Sequence, residues 1–180
     1  MQPRVLGLDL SLTGTGLATF SGEGWRTRAV GTSSKQELPQ RLRHIVDELE
    51  VFMGGDGCDL AVIEDLPRGA RGSSSVGMVH GVVRLQLAAT PVLLVTPASL
   101  KVFAANSGRA EKKDVAREAR RVLGLDGQLT FDEYDAAWLV AVGLHLLCDT
   151  TFAVPVQNLR ALDGVQVSLQ AQNVVDRWCG

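Results

Sequence analysis

The chain is short of the features that would place a protein in a class at once. It has three cysteines in 180 residues, Cys58, Cys148 and Cys179. An odd number at wide spacing forms neither a zinc pattern nor a secreted disulfide framework, which points to a reducing, intracellular setting. Cys179, beside the C-terminus, is the thiol placed to cross-link chains in vitro. Neither sign of charge dominates: 18 Lys and Arg face 20 Asp and Glu, for a net charge of -2. That excludes a protein that binds nucleic acid through overall basicity. No apolar run is long enough to span a bilayer; the longest, Ala136 to Cys148, is interrupted by His145. Met1-Gln2-Pro3-Arg4 leads straight into an apolar strand without a signal-peptide pattern. There is no internal repeat and no low-complexity segment. A soluble, cytoplasmic protein with no membrane partner is expected.

What is present is a normal globular balance, 46% hydrophobic and 21% charged, at a length that suits one domain with a sizeable core. Apolar runs at Val5–Leu10, Gly16–Phe20 and Trp25–Val30 are separated by short Gly, Ser and Thr turns, which predicts an antiparallel meander. Leu38, Leu42, Ile45, Leu49 and Phe52 recur at helical spacing. A buried strand, Leu60–Glu64, precedes a Gly-, Ser- and Arg-rich loop, Asp65–Ser75, and then a helix, Val76–Ala89. Val92–Val95 reads as a fifth strand and Pro97 as the first turn of a short helix. Ala110–Leu123 is amphipathic, and Thr130 is placed as the N-cap of a last long helix, Phe131–Leu147. The order β-β-β-α-β-α-β-α-α-α implies an α/β fold, a mixed five-stranded sheet flanked by helices on both faces. Past Asp149 the pattern changes, and Asn158–Val167 reads as a small hairpin on Asp163-Gly164. The expected division is a main domain at 1–148 and an extension of unknown role at 149–180.

Four carboxylates stand where a core would place apolar residues. Asp9 interrupts Val5-Leu6-Gly7-Leu8-Asp9-Leu10, Glu64 ends Leu60-Ala61-Val62-Ile63, and Asp132 and Asp135 open the last long helix. A buried, unpaired carboxylate costs several kcal/mol or becomes protonated. Asp132 and Asp135, three apart, share one helix face with Leu139, Val142 and Leu146. If the two strands are neighbours, the helix N-terminus can bring all four acids together. Oxygen ligands with no nearby Cys or His suit Mg²⁺ or Mn²⁺ rather than zinc. Two such ions suit in-line displacement at phosphorus. Residues 101–121 carry seven basic and three acidic residues, whereas 122–180 carry two basic and seven acidic. The basic stretch brings Lys101, Lys112 and Lys113 as candidates to meet a phosphate. Each residue alone has a plainer reading: Asp132 as a first-turn acid on a helix dipole, Glu64 as a partner of Arg68, the lysines as solubilising charge. Glu133 and Asp65 read as solvated acids. His44, His80 and His145 read as structural, and the three tryptophans as packing residues.

Taken together the motifs resemble those of the RuvC-type Holliday-junction resolvases of the ribonuclease H-like superfamily. Leu6-Gly7-Leu8-Asp9-Leu10-Ser11-Leu12-Thr13-Gly14-Thr15-Gly16 is similar to the family's first strand and turn, and Ile63-Glu64 to its second acidic motif. Thr96-Pro97-Ala98-Ser99-Leu100-Lys101, Gly108-Arg109-Ala110-Glu111-Lys112-Lys113 and Asp132-Glu133-Tyr134-Asp135-Ala136-Ala137 follow in the family's order. The resemblance spans about residues 4–148. It implies a ribonuclease H-like fold and a hydrolase that resolves four-way junctions, and other branched DNA, in recombination and repair. It implies Asp9, Glu64, Asp132 and Asp135 as catalytic metal ligands with two Mg²⁺ or Mn²⁺ ions per site. Lys112 is implied as a catalytic residue, Lys101 and Lys112 as contacts to the scissile phosphate, and 5′-phosphate and 3′-hydroxyl ends as products. It also implies a homodimer, for which the Val76–Ala89 helix, with Gly77 and Gly81, is the candidate face.

The chain departs from the family after the second acid. Glu64-Asp65-Leu66-Pro67-Arg68-Gly69 has no aromatic residue to stack on a junction base. Arg68 and Arg71 are expected to hold the DNA backbone instead. Such a departure suits a divergent, phage-encoded member with relaxed specificity. The competing readings are a junction-binding protein without catalysis, a ribonuclease H-like nuclease acting on RNA, and a sugar-kinase or actin-like ATPase, for which the chain is too short.

Overall fold

The computed structural model describes residues 2–66 and 73–180. Arg68 and Arg71 lie outside the described residues. The strands are β1 (Val5–Asp9), β2 (Gly14–Ser21), β3 (Gly24–Gly31), β4 (Leu60–Glu64), β5 (Val92–Val95) and β6 (Gln166–Val167). The helices are α1 (Leu38–Met53), α2 (Ser73–Gln86), α3 (Pro97–Ala105), α4 (Lys112–Leu123), α5 (Phe131–Leu146) and α6 (Leu169–Cys179), with 3-10 turns at Gly54–Asp56 and Val156–Gly164. The sheet runs β3-β2-β1-β4-β5-β6. β1, β2 and β3 form the expected antiparallel meander. β4 adds to β1 in parallel, and β5 adds to β4 in parallel.

Because side chains alternate along a strand, each central strand feeds two cores. Val5, Leu60, Val62, Leu93 and Val95 pack under α3, α4 and α5. Leu6, Leu8, Leu17, Ala61 and Ile63 pack with Ile45, Leu49 and Phe52 of α1 and Val79 and Val83 of α2. α5 is not amphipathic in place. From Ala136 to Leu144 every residue is buried, because the sheet lies under one side and α3 and α4 cover the other. It approaches the sheet closely through two glycines. A Cβ on Gly7 would stand 2.0 Å from the carbonyl oxygen of Ala136, and one on Gly16 would stand 1.9 Å from that of Asp132.

The local signals hold in most places. Pro97 opens α3, and the Thr96 hydroxyl accepts from the Ser99 amide. Thr130 caps α5 as expected. The second helix starts and ends three residues earlier than its apolar spacing suggests, at Ser73 and Gln86.

Two expectations about the tail are corrected. Asn158–Val167 is not a hairpin. Val156–Gly164 is a 3-10 turn, and Gln166–Val167 pairs antiparallel with Leu93 and Leu94 of β5. The sheet therefore has six strands, the last covering an edge that would otherwise expose unpaired amides. Gly164 is small because Ser99 Oγ would lie 2.7 Å from its Cβ. It has none of the positive φ that a tight Asp-Gly hairpin turn needs. Cys148 and Cys179 form a disulfide within the chain, 31 residues apart, tying α6 to the end of α5. Cys179 is thus not a free thiol for linking chains. Cys58 is free, and burial pushes its thiol up to about 11.

Candidate active site

Strand parity sets the positions of the first two acids. Val5 and Gly7 face α5, so Asp9, two residues on, faces it too. Leu60 and Val62 face the same core, so Glu64 does as well. The parallel register pairs Leu8 with Ile63, and Asp9 and Glu64 are the next residues along it. Both carboxyls therefore leave the C-terminal ends of adjacent strands on one face. Asp9 is paired on its other side with Gly16, the residue over which α5 begins. That contact sets Asp132 and Asp135, one turn apart, above the strand acids. The turn beneath is held by Ser11 and Thr15. Ser11 Oγ donates to the Gly14 carbonyl at 2.8 Å, and Thr15 Oγ1 donates to the Ser11 carbonyl at 2.8 Å. Gly14 leaves room for Asp132, whose Oδ2 would lie 2.7 Å from a Cβ there.

The electrostatics show how far the acids converge. Burial, then the Glu64 charge, pushes Asp9 up to about 8, with Asp132 adding to the rise and Lys112 opposing it. Burial pushes Glu64 up to about 7, against a bond from Asp9 that works the other way. Asp9 is thus the proton holder of that pair. Asp135 rises to about 7 through burial and the Asp9 charge, opposed by Lys112 and Lys101. Burial alone would lower the Lys112 ammonium, but Asp132, Asp135 and Asp9 outweigh it and raise it. Lys112 Nζ lies 3.4 Å from Asp132 Oδ1.

The structure brings together Asp9, Glu64, Asp132, Asp135 and Lys112, with Lys101 within electrostatic reach of Glu64 and Asp135. Lys113 is not among them: it pairs with Glu111 at 2.8 Å. Arg117 and Arg121 of the basic helix are likewise absorbed by Asp114 and Glu118. These three side chains are paired with acids of their own helix or its cap, whereas Lys112 is paired with Asp132 of α5. Glu133 is not a solvated acid. It is buried, accepts from Thr27 Oγ1 at 2.9 Å, and accepts from the Thr130 amide and hydroxyl at 2.9 Å. Thr130-Phe131-Asp132-Glu133 carries the capping-box spacing that signals this role. No histidine contributes to the shifts of the acids. His80 is a buried residue of α2, and His145 stands edge-on to Phe103. A cleft of about 580 Å³ lies at the other end of the strands, beside Arg4, Leu6 and Cys58.

The donor set fits hard divalent cations: four half-buried carboxylates, oxygen only, three of which (Asp9, Glu64 and Asp135) are pushed up by burial and then by neighbouring charge. Among the described residues, no three such side chains form a ready-made cage for one ion. The acids are instead occupied in pairs, Asp9 with Glu64 through a proton and Asp132 with Lys112 through an ammonium. For these acids to hold a cation, that proton would have to leave and that ion pair would have to loosen.

Residues 5–145 match the family described as crossover junction endodeoxyribonuclease RuvC. The crossover junction endodeoxyribonuclease RuvC of Frankia alni is 34% identical over 132 residues, covering 68% of this chain and 67% of that protein. The protein of the same name from Syntrophomonas wolfei is 31% identical over 153 residues, covering 79% of this chain and 88% of that one. The solved structure of T. thermophilus RuvC in complex with Holliday junction substrate superposes with a TM-score of 0.65 at 23% identity, over 77% of this chain and 91% of that one. The chain therefore belongs to the crossover junction endodeoxyribonuclease RuvC family and has its ribonuclease H-like fold.

Proposed function

We propose that this protein is a structure-selective endodeoxyribonuclease that resolves four-way DNA junctions, and other branched DNA, in the cytoplasm. The observation that carries the reading is the surplus of negative charge at one end of the sheet. Among the described residues, four carboxylates are answered by two nearby ammonium groups, and three of the acids are pushed up to about 7 or 8. Such a cluster is costly unless cations complete it. Asp9, Glu64, Asp132 and Asp135 would hold two Mg²⁺ or Mn²⁺ ions. When bound, the ions supply a hydroxide at neutral pH and charge neutralisation at the leaving oxygen.

The rest is performed by the chain. Asp9 gives up its proton as the site fills. Lys112, released from Asp132, turns to a non-bridging oxygen of the scissile phosphate, and Lys101 supports it from the Glu64 side. Water adds to phosphorus and the bond to the 3′ oxygen breaks, leaving a 5′-phosphate and a 3′-hydroxyl. Arg68 and Arg71 are assigned to the DNA backbone. A homodimer joined through α2 would present two sites to opposed strands of a junction. Residues 149–180 serve as a cover for the β5 edge and for the ends of α3 and α5.

The test is cleavage in Mg²⁺ of four-way, Y-shaped, flap and linear DNA and of an RNA–DNA hybrid. Wild type should nick the four-way junction, and Asp9→Asn should bind it without nicking. Junction binding with no metal-dependent nicking would make the protein a binding module. Preferential cleavage of the hybrid would make it a ribonuclease. Asp9→Asn cutting at the wild-type rate would remove Asp9 from the metal site.

A further inference from the structure

The chain has nine aromatic side chains, five Phe, three Trp and one Tyr, and all nine lie among the described residues. Eight are accounted for by packing. Phe20, Trp25 and Phe152 pack against one another, Phe103 stands against Trp138, Phe52 and Tyr134 are buried, and Trp178 is half-buried. Phe131 alone is open, 48% exposed. It is also placed at the candidate active site. It is the first residue of α5, immediately before Asp132, and Lys112 Nζ lies 5.9 Å from its ring centroid. The same ammonium lies 3.4 Å from Asp132 Oδ1. One lysine thus joins the ring to the carboxylates, and a nucleotide whose phosphate meets Lys112 brings its own base, or its neighbour's, to the ring.

Exposing a phenyl ring costs burial energy that a core position would recover. Among the described residues, the contact given for this ring is Lys112, and no packing contact with another aromatic ring holds it. The capping of α5 is done by Thr130 and Glu133, and the residue at the first helical position needs no particular side chain. The backbone beneath it is rigid, because the Thr130–Glu133 box and the Gly16 contact fix the start of α5. A rigidly mounted, half-exposed aromatic ring beside cations that meet a phosphate is the arrangement that binds an unstacked base.

We infer that Phe131 is a substrate-positioning residue that stacks on a nucleobase unpaired or splayed beside the cleaved phosphate. This rests on the DNA-cleaving role proposed above, and it assigns the aromatic contact to the mouth of α5 rather than to the segment after Glu64. Stacking tolerates any base, so Phe131 would hold branched DNA in place without dictating a sequence.

The test pairs a protein change with a DNA change. Four-way junctions carrying a single abasic site, scanned across the nucleotides around the branch point, are bound to wild type, Phe131→Ala, Phe131→Leu and Phe131→Trp without divalent cations, and cleaved intact in Mg²⁺. For wild type, one abasic position should weaken binding by roughly 5- to 100-fold. Phe131→Ala should bind the intact junction weaker by a similar factor and be indifferent to that abasic position. Phe131→Leu should resemble Ala, because bulk without a π face does not stack, and Phe131→Trp should restore the wild-type profile. Thermal melts of the variants separate loss of stacking from loss of fold. If Phe131→Ala keeps both wild-type affinity and the wild-type abasic profile, the stacking role is refuted while the nuclease reading stands. If Phe131→Ala changes only the oligomeric state, the ring is an interface residue and the stacking role is again refuted. If wild type neither binds nor cuts any branched DNA, both readings fall.

Discussion

Asp9→Asn should stabilise the cation-free protein, and the gain should depend on pH. Asp9 is held up to about 8, from an ordinary 3.8, by burial first and then by the Glu64 and Asp132 charges. A carboxyl whose folded pKa is raised carries no penalty below its unfolded pKa, where both states are protonated. As pH rises, the unfolded chain ionises while the folded site still holds the proton, so stability falls until the folded pKa is passed. Each unit of difference corresponds to about 1.36 kcal/mol. Between pH 5 and pH 8 the ceiling for Asp9 is therefore about 4 kcal/mol. Glu64 shares the proton and relaxes in its turn, so about 2 kcal/mol is the expected share for the single substitution. For a chain of this length that corresponds to roughly 4–8 °C in Tm.

The assay is thermal unfolding followed by circular dichroism in EDTA, with wild type and Asp9→Asn compared at pH 5 and pH 8. Asp9→Asn should be more stable at pH 8, and the difference should shrink at pH 5. Added Mg²⁺ or Mn²⁺ should raise the wild-type Tm at pH 8 and leave Asp9→Asn nearly unmoved, because binding to the folded state is what stabilises. A variant less stable than wild type at pH 8, or a gain that is the same at both pH values, would refute the reasoning: Asp9 would then be a satisfied structural acid.

Three further outcomes follow from the geometry. Lys112→Ala should lower junction cleavage by roughly 10²- to 10³-fold in single-turnover assays, whereas Lys113→Ala, whose ammonium is engaged by Glu111, should change it by less than about 2-fold; equal losses would undo the assignment of Lys112. Gly16→Ala should cost at least about 2 kcal/mol in urea unfolding and weaken cation binding, because its Cβ would meet the Asp132 carbonyl at 1.9 Å; a neutral result would mean that α5 is not held at that contact. Glu133→Ala should cost about 2 kcal/mol, since it strips the α5 cap and leaves the Thr27 hydroxyl without its acceptor; a loss under about 0.5 kcal/mol would show that solvent replaces the carboxylate easily.

The parts of the fold that were readable in the sequence are those governed by neighbours along the chain. The meander followed from short turns between apolar runs, α3 from Pro97 behind a Thr cap, and α5 from Thr130. Elements decided by distant partners were not readable. Asp163-Gly164 carries a hairpin signal, yet the glycine is there to clear Ser99 of α3, and the strand that follows is claimed by β5. Cys148 and Cys179 have no diagnostic spacing; they meet because α6 folds back over the end of α5. Glu133 was readable but easily misjudged: an acid in the first turn looks solvated until the threonine three residues before it is taken as its partner.

The convergence of the acids was half legible, and the missing half is parity. Apolar alternation in Val5–Leu10 says that Asp9 shares a face with Val5 and Gly7, and the same rule puts Glu64 with Leu60 and Val62. Whether those two faces coincide depends on the register of a parallel pair fifty-odd residues apart in sequence, which no local pattern encodes. A slip of one residue in that register would keep both strands buried and send Glu64 to the α1–α2 side. The glycines resolve this. Gly7 and Gly16 admit α5 on only one face of the sheet, and once α5 lies there its two aspartates meet whichever strand acids share that side. The residues without side chains thus determine which charged ones meet, and replacing either glycine should scatter the site before it unfolds the protein.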